Sequence, residues 1–239
     1  MAISEFIIMR LLILFSLLAS INTSPFANIV VNGTRVIYPE KNNETIVQLI
    51  NNGNDPALVQ SWIDDGDINS TPETANVPFL LSPPVVKVSG NDGQQLRIKK
   101  LPASLPTDRE SVFYLNILDI PPTPEHLQGK NTMQLAIKTR IKLFYRPNHL
   151  QAGVEQALEQ IEVKAENKQF RITNNSPYYV TLANVDDKKG KKILTDSLMV
   201  APFSHALAPT KTAVSAGQKY SLLYVDDLGA YKNKDVIAK

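Results

Sequence analysis

The sequence predicts an all-β protein made of two β-sandwich domains. Three observations carry that expectation. Short runs of β-branched and aromatic residues alternate with polar turns over most of the chain. Sixteen prolines stand against ten glycines, which favours β structure punctuated by turns. At Pro147–Asn148 the pattern breaks, and a second series of runs follows.

The chain opens on an address. Residues 6–18 read FIIMRLLILFSLL, interrupted only by Arg10, and small or polar residues follow as far as Ala27. A short apolar run ahead of a small residue is the layout of a cleaved secretory signal, assigned to residues 1–27. At thirteen residues the run is shorter than the ~20 that a membrane anchor needs. The expected protein is therefore soluble outside the cytoplasm.

The first domain is expected over residues 28–147. Its candidate strands are Thr34–Tyr38, Thr45–Ile50, Ala57–Ile63, Val85–Val88, Gln95–Lys99 and Ser111–Ile117, with a long one at Met133–Tyr145. NNGNDP at 51–56, DDGD at 64–67, SGNDG at 89–93 and PPTP at 121–124 mark turns between them. That spacing suits an antiparallel sandwich. The second domain is expected over residues 148–239. A helix-compatible connector, Val154–Ile161, leads into strand candidates Gln169–Thr173, Tyr178–Val185, Ser197–Ala201, Val214 and Lys219–Val225.

Composition removes several function classes. Twenty-five basic against 23 acidic residues leave a net charge of +2, with no basic excess to suggest a nucleic-acid partner. No cysteine is present, which excludes disulfide scaffolds, thiol catalysis and cysteine-held zinc. Three scattered histidines (His126, His149, His205) offer no metal cluster, and no cofactor is expected. Gly-x-Ser-x-Gly, His-Glu-x-x-His and phosphate-loop motifs are missing. His205 beside Asp196 or Ser204 is a weak basis for a hydrolase, so no enzymatic activity is expected. Five Asn-x-Ser/Thr sequons, at Asn22, Asn32, Asn43, Asn69 and Asn174, fit chance in an Asn-rich chain.

The segment MQLAIKTRIKLFYR, from Met133, is the most informative. Met133, Leu135, Ile137, Ile141, Leu143 and Tyr145 make one apolar row, broken only by Thr139. Thirteen residues at ~3.3 Å each reach about 40 Å, whereas a domain of this size is about 35 Å across. One core cannot cover the whole row, so part of Met133, Leu135 and Ile137 should lie at or beyond its edge. Exposed apolar edges recruit other chains, and strand addition to a partner is the leading reason to keep one. Packing of the row on a second sheet is the plain alternative.

Four segments resemble the periplasmic pilus (fimbrial) assembly chaperones of the chaperone–usher pathway, the PapD-like family. They are GTRVIY from Gly33, LPTDRESVFYLN from Leu105 followed by Ile120–Pro121–Pro122, IKLFYRP from Ile141, and NSPYYVT from Asn175. The resemblance implies two immunoglobulin-like β-sandwich domains in a boomerang, with a cleft between them. It implies a periplasmic, non-enzymatic chaperone that lends a strand to an incomplete pilus subunit, pilin or adhesin, and delivers it to an outer-membrane usher. By position, Arg35 and Lys142 match the cleft bases that hold the subunit's terminal carboxylate. Met133, Leu135 and Ile137 match the donated apolar row. Glu110, Arg146 and Asp227 match an interdomain charge cluster. The short connection Thr123–Thr132 and the lack of a cysteine pair place the chain with the short-loop subclass. The tail after Asp227 is shorter than in many members, which leaves the last strand of the second domain open. Self-association of the free protein through the bare edge is a further expectation. The competing reading is a secreted immunoglobulin-like adhesin or surface-binding protein.

Overall fold

A computed structural model describes residues 29–123, 129–131, 133–150 and 153–239. The expected signal segment lies outside these residues, as do His126 and part of the 123–132 connection.

The first sandwich holds nine strands among the described residues: β1 (Ile29–Val31), β2 (Arg35–Pro39), β3 (Thr45–Asn51), β4 (Ala57–Asp64), β5 (Phe79–Ser82), β6 (Val85–Val88), β7 (Gly93–Lys100), β8 (Ser111–Ile120) and β9 (Ile137–Arg146). One sheet runs β1-β3-β7-β5 and the other β2-β9-β8-β4-β6. Alternation places Val47, Leu49, Leu96 and Ile98 of the first sheet against Val59, Leu115, Ile117 and Leu143 of the second, in one core. β1 and β5 carry no clear alternation of their own in three or four residues, so pattern reading does not find them.

β9 is shorter than the pattern Met133–Tyr145 predicts. Its pairing with β8 ends at Asp119↔Ile137. β8 then runs into Pro121 and Pro122, which cannot extend a ladder as donors. Residues 133–136 therefore continue past the sheet with no strand beside them among the described residues. On its other side β9 pairs in parallel with β2, and only over Lys142–Arg146. The stretch 137–141 has an open edge there.

The second sandwich begins with a short helix, α1 (Gly153–Ala157), and a 3-10 turn, Leu158–Gln160. β10 (Ile161–Ala165), β11 (Gln169–Asn174) and β14 (Ser204–Pro209) make one sheet. β13 (Leu198–Val200), β12 (Val180–Asp186), β15 (Lys219–Val225) and β16 (Tyr231–Ile237) make the other. Phe170, Ile172, Leu182 and Leu222 fill the core, with Val154, Ala157 and Leu158 of the helical turn closing one end. Two expectations change here. Val214 is a buried loop residue outside any strand, because residues 211–218 turn back on themselves. The short tail still completes a last strand: β16 pairs with β15 from Lys219↔Ile237 to Val225↔Tyr231.

Candidate functional site

Arg35 starts β2, and alternation turns Val36 and Tyr38 into the core, so Arg35 faces the other way. The parallel register sets Arg35 directly opposite Lys142 of β9. The two bases enter a cleft of about 240 Å³. Thr34, Arg35 and Lys142 line it from the first sandwich, and Thr181, Ala183, Ser197, Val225 and Tyr231 from the second. The β15–β16 turn closes in on Thr34: a Cβ at Gly229 would lie 2.2 Å from the Thr34 hydroxyl, and φ there is +87°. Only glycine meets both demands.

Arg35 donates through Nη1 to the Val225 carbonyl at 3.2 Å and stacks over Phe144 at 5.7 Å. Its Nε is buried without a partner. Burial pushes the guanidinium below its ordinary value, against the pull of Asp227, Asp226 and Glu110. Lys142 is pushed down by burial and then by Arg35. Its ammonium has no hydrogen-bond or ion-pair partner among the described residues. The nearby carboxylates are taken: Asp227 by Arg146, and Asp226 by Lys232 and the backbone of Leu228 and Ala230. Two adjacent cations with unused donors suit an anion, and the planar shape of a carboxylate matches a fork beside a point charge.

On β9 the apolar row leaves its own core step by step. Tyr145 is 3% exposed, Leu143 0%, Ile141 9%, Ile137 43%, Leu135 71% and Met133 90%. The same face that fills the sandwich at one end is bare at the other. The alternate face is polar and anchored. Arg140 pairs with Asp64, whose other partners are Asn116 and the Gly66 amide, and lies 3.7 Å from the centroid of the Tyr114 ring. Lys138 bonds the Ile68 carbonyl at 3.0 Å and lies over Trp62.

Between the sandwiches, Arg146 donates to Glu110 at 2.7 Å and in two parallel bonds to Asp227 at 2.7 and 2.9 Å. Glu110 also accepts the Tyr179 amide at 2.8 Å. Burial pushes Glu110 above the usual carboxylate range, more than Arg146 pulls it down. For Arg146 burial acts downward, but its bonds to Asp227 and the charge of Glu110 win and hold it above its ordinary value. Gly153, at φ +74°, stands against this cluster, where a Cβ would meet an Asp227 oxygen at 2.5 Å.

Arg35 and Lys142 thus sit together, as do Glu110, Arg146 and Asp227, while Ile137 starts β9 and Met133 and Leu135 lie in the segment ahead of it. Sequence reasoning missed Thr181, Tyr231 and the Val225 carbonyl, which complete the cleft from the second sandwich, and Tyr179, whose amide bonds Glu110. Thr181 within NSPYYVT stood as a signal, a polar residue on the face opposite the core residues Val180 and Leu182. Its Oγ1 is buried without a partner. His205 is exposed on β14 and the Ser204 hydroxyl bonds the Ala201 carbonyl. No group of three or more metal-ligating side chains occurs among the described residues. No helix there is long and apolar enough to cross a membrane.

Comparison with known proteins gives a consistent result. The family model for the pili and flagellar-assembly chaperone PapD N-terminal domain matches residues 28–151, and that for the pili assembly chaperone PapD C-terminal domain matches 156–236. The chain is 42% identical over 205 residues to the probable fimbrial chaperone YehC of Escherichia coli K12, covering 86% of this chain and 84% of that one. It is 41% identical over 219 residues to the chaperone protein HifB of Haemophilus influenzae, covering 89% of each. Its fold resembles the crystal structure of the Pseudomonas aeruginosa CupB2 chaperone, with a TM-score of 0.76 and 34% identity over 88% of this chain and 100% of that one. It also resembles the Salmonella enterica SafA pilin–SafB chaperone complex, with a TM-score of 0.77 and 26% identity over 90% and 98% of the respective chains.

Proposed function

This chain belongs to the PapD-like family of pilus-assembly chaperones, with two immunoglobulin-like β-sandwich domains, and from that premise we propose how it works. It is a fimbrial chaperone that binds and stabilises pilus subunits by strand donation and passes them to an outer-membrane usher. It acts in the periplasm and catalyses no covalent chemistry.

The observation that carries this reading is the rising exposure along the apolar row of β9 and the segment ahead of it, from Ile141 at 9% to Met133 at 90%. A subunit that lacks a strand offers a groove for those side chains. The open edge of residues 137–141 lies in line with β2, so an incoming strand takes the place ahead of the first residue of β2. If its C-terminus meets Arg35 and Lys142, it runs parallel to β9. Each large apolar side chain buried contributes ~1.5–3 kcal/mol, and each charge-assisted bond to the carboxylate ~1.5–3 kcal/mol. The row therefore supplies at least as much energy as the anchor. The anchor fixes register, because a slip of one residue turns every apolar side chain away from the groove.

Leu135→Glu tests the reading. Co-expressed with its subunit, the variant is expected to recover almost no complex while its melting temperature stays within about 2 °C of the parent. Normal recovery would defeat strand donation, and a large loss of stability would make Leu135 a core residue. The adhesin reading is separated by the same protein alone, which should then hold a surface ligand without any subunit.

A further inference from the structure

The far end of the second domain carries a dense positive surface that strand donation does not use. β12 and β15 both run between the cleft, at Val180 and Val225, and this end, at Asp186 and Lys219. Three loops meet there. The Lys211 amide bonds the Ile193 carbonyl at 2.8 Å, the Thr210 amide bonds Lys168 at 2.8 Å, and the Asp187 amide bonds Lys191 at 3.0 Å. They bring together Lys168, Lys188, Lys189, Lys191, Lys192 and Lys211, all exposed. None of the six is in an ion pair among the described residues. Asp187 lies among them, its Oδ1 accepting the Lys189 and Lys191 amides at 2.8 and 3.0 Å and shaping the turn that presents them, and its single charge offsets only part of the six. Asp186 is largely turned inward, with one oxygen buried and unpartnered. The whole chain carries only +2, so the charge is concentrated at this end and the rest is close to neutral or negative.

The composition of the patch selects its partner. These loops contain no arginine and no exposed aromatic residue. Protein interfaces take most of their energy from tryptophan, tyrosine and arginine and are poor in lysine. A shaped phosphate site uses an arginine fork or buried donors. Flexible ammonium groups spread over three loops suit instead a fluid plane of negative headgroups, where attraction sums over charges and needs no fixed geometry. Ile237, opposite Lys219 on the edge strand, is a large exposed apolar side chain at this end.

We propose that this lysine-rich end docks the protein on an anionic phospholipid surface and leaves the cleft and the bare edge of β9 free. The proposal rests on the loop cluster and not on the strand-donation reading. The test is co-sedimentation of the processed protein with phosphatidylcholine vesicles, with and without about 30 mol % phosphatidylglycerol, in low salt and in about 0.5 M NaCl. Binding is expected to the mixed vesicles only, with a loss of at least about tenfold in high salt. The variant Lys188→Gln/Lys189→Gln/Lys191→Gln/Lys192→Gln should lose at least about tenfold in partitioning. It should melt as the parent does, since these side chains are exposed. Equal binding to neutral vesicles, no binding in low salt, or an unchanged quadruple variant would overturn the proposal. So would capture of soluble polyglutamate with no capture of mixed vesicles, which would make an acidic polypeptide the partner.

Discussion

At the residue scale the cleft bases are held under electrostatic tension. Arg35 and Lys142 face each other across one β-ladder, both partly desolvated and both pushed below their ordinary values. A base whose folded value is depressed weakens the free protein at neutral pH, because folding disfavours its charged form. Lys142→Met should therefore raise the melting temperature slightly, by about 2 °C, while cutting the amount of subunit recovered on co-expression. Arg35→Ala should also cut recovery and leave a folded protein. Normal recovery in both variants would remove the carboxylate anchor. The same depression sets a pH dependence. Lys142 sheds its proton below the ordinary lysine value of 10.5, so the affinity for a terminal carboxylate should decline as pH rises toward that value. Lys142→Arg should move the decline to higher pH in a dissociation assay.

Asp64 behaves in the opposite sense. Burial would raise its carboxyl, but the bonds from Arg140, Asn116 and the Gly66 amide outweigh burial and hold it low. Its contribution is complete above the ordinary aspartate value and is lost as pH falls through the lower folded one. Denaturant titrations between about pH 5 and pH 2 should show a shallower loss of stability in Asp64→Asn than in the parent. An identical slope would mean that the pair with Arg140 adds nothing.

At the element scale β9 has two different halves. Leu143 is fully buried and packs both sheets together, so Leu143→Ala should cost about 2–5 kcal/mol in denaturant unfolding. Leu135 and Met133 belong to the same alternating row but are exposed among the described residues. A free edge of this kind pairs with another copy when no partner is present. Light scattering over a concentration series should show the mass rising in the parent and staying monomeric in Leu135→Glu. A flat series for the parent would mean that the edge is protected in some other way. The alternation of Met133–Tyr145 was legible in the sequence, and so was the mismatch between its length and one domain. The point at which the ladder stops was not, because it depends on where β8 meets Pro121 and Pro122 across the sheet. β1 and β5 were missed for the reverse reason: three or four residues take their strand state from neighbours and not from their own pattern.

At the scale of the whole molecule, two sandwiches are tied by one buried group of charges. Arg146 bridges Glu110 of the first sandwich and Asp227 of the second, and Glu110 reaches on to the Tyr179 amide. Removing one member of such a group strands the others in a poorly hydrated place, which costs about 3–5 kcal/mol. Arg146→Ala should lose stability of that order and should broaden the distribution of interdomain distances in small-angle scattering. If scattering is unchanged, the cluster serves stability alone and the cleft is held by the Gly229–Thr34 approach and the Arg35 bond to Val225.

The sequence by itself determined the all-β architecture, the break near Pro147 and the apolar row that outruns its core. Those follow from alternation, turn residues and chain length, which are local properties. Only the tertiary structure decided that Arg35 and Lys142 share a register and that Thr181 and Val225 close the cleft from the other sandwich. It also decided that six lysines from three loops form one surface. Each of these joins residues far apart in the chain, and nothing in the local pattern encodes which distant strand or loop will lie beside them.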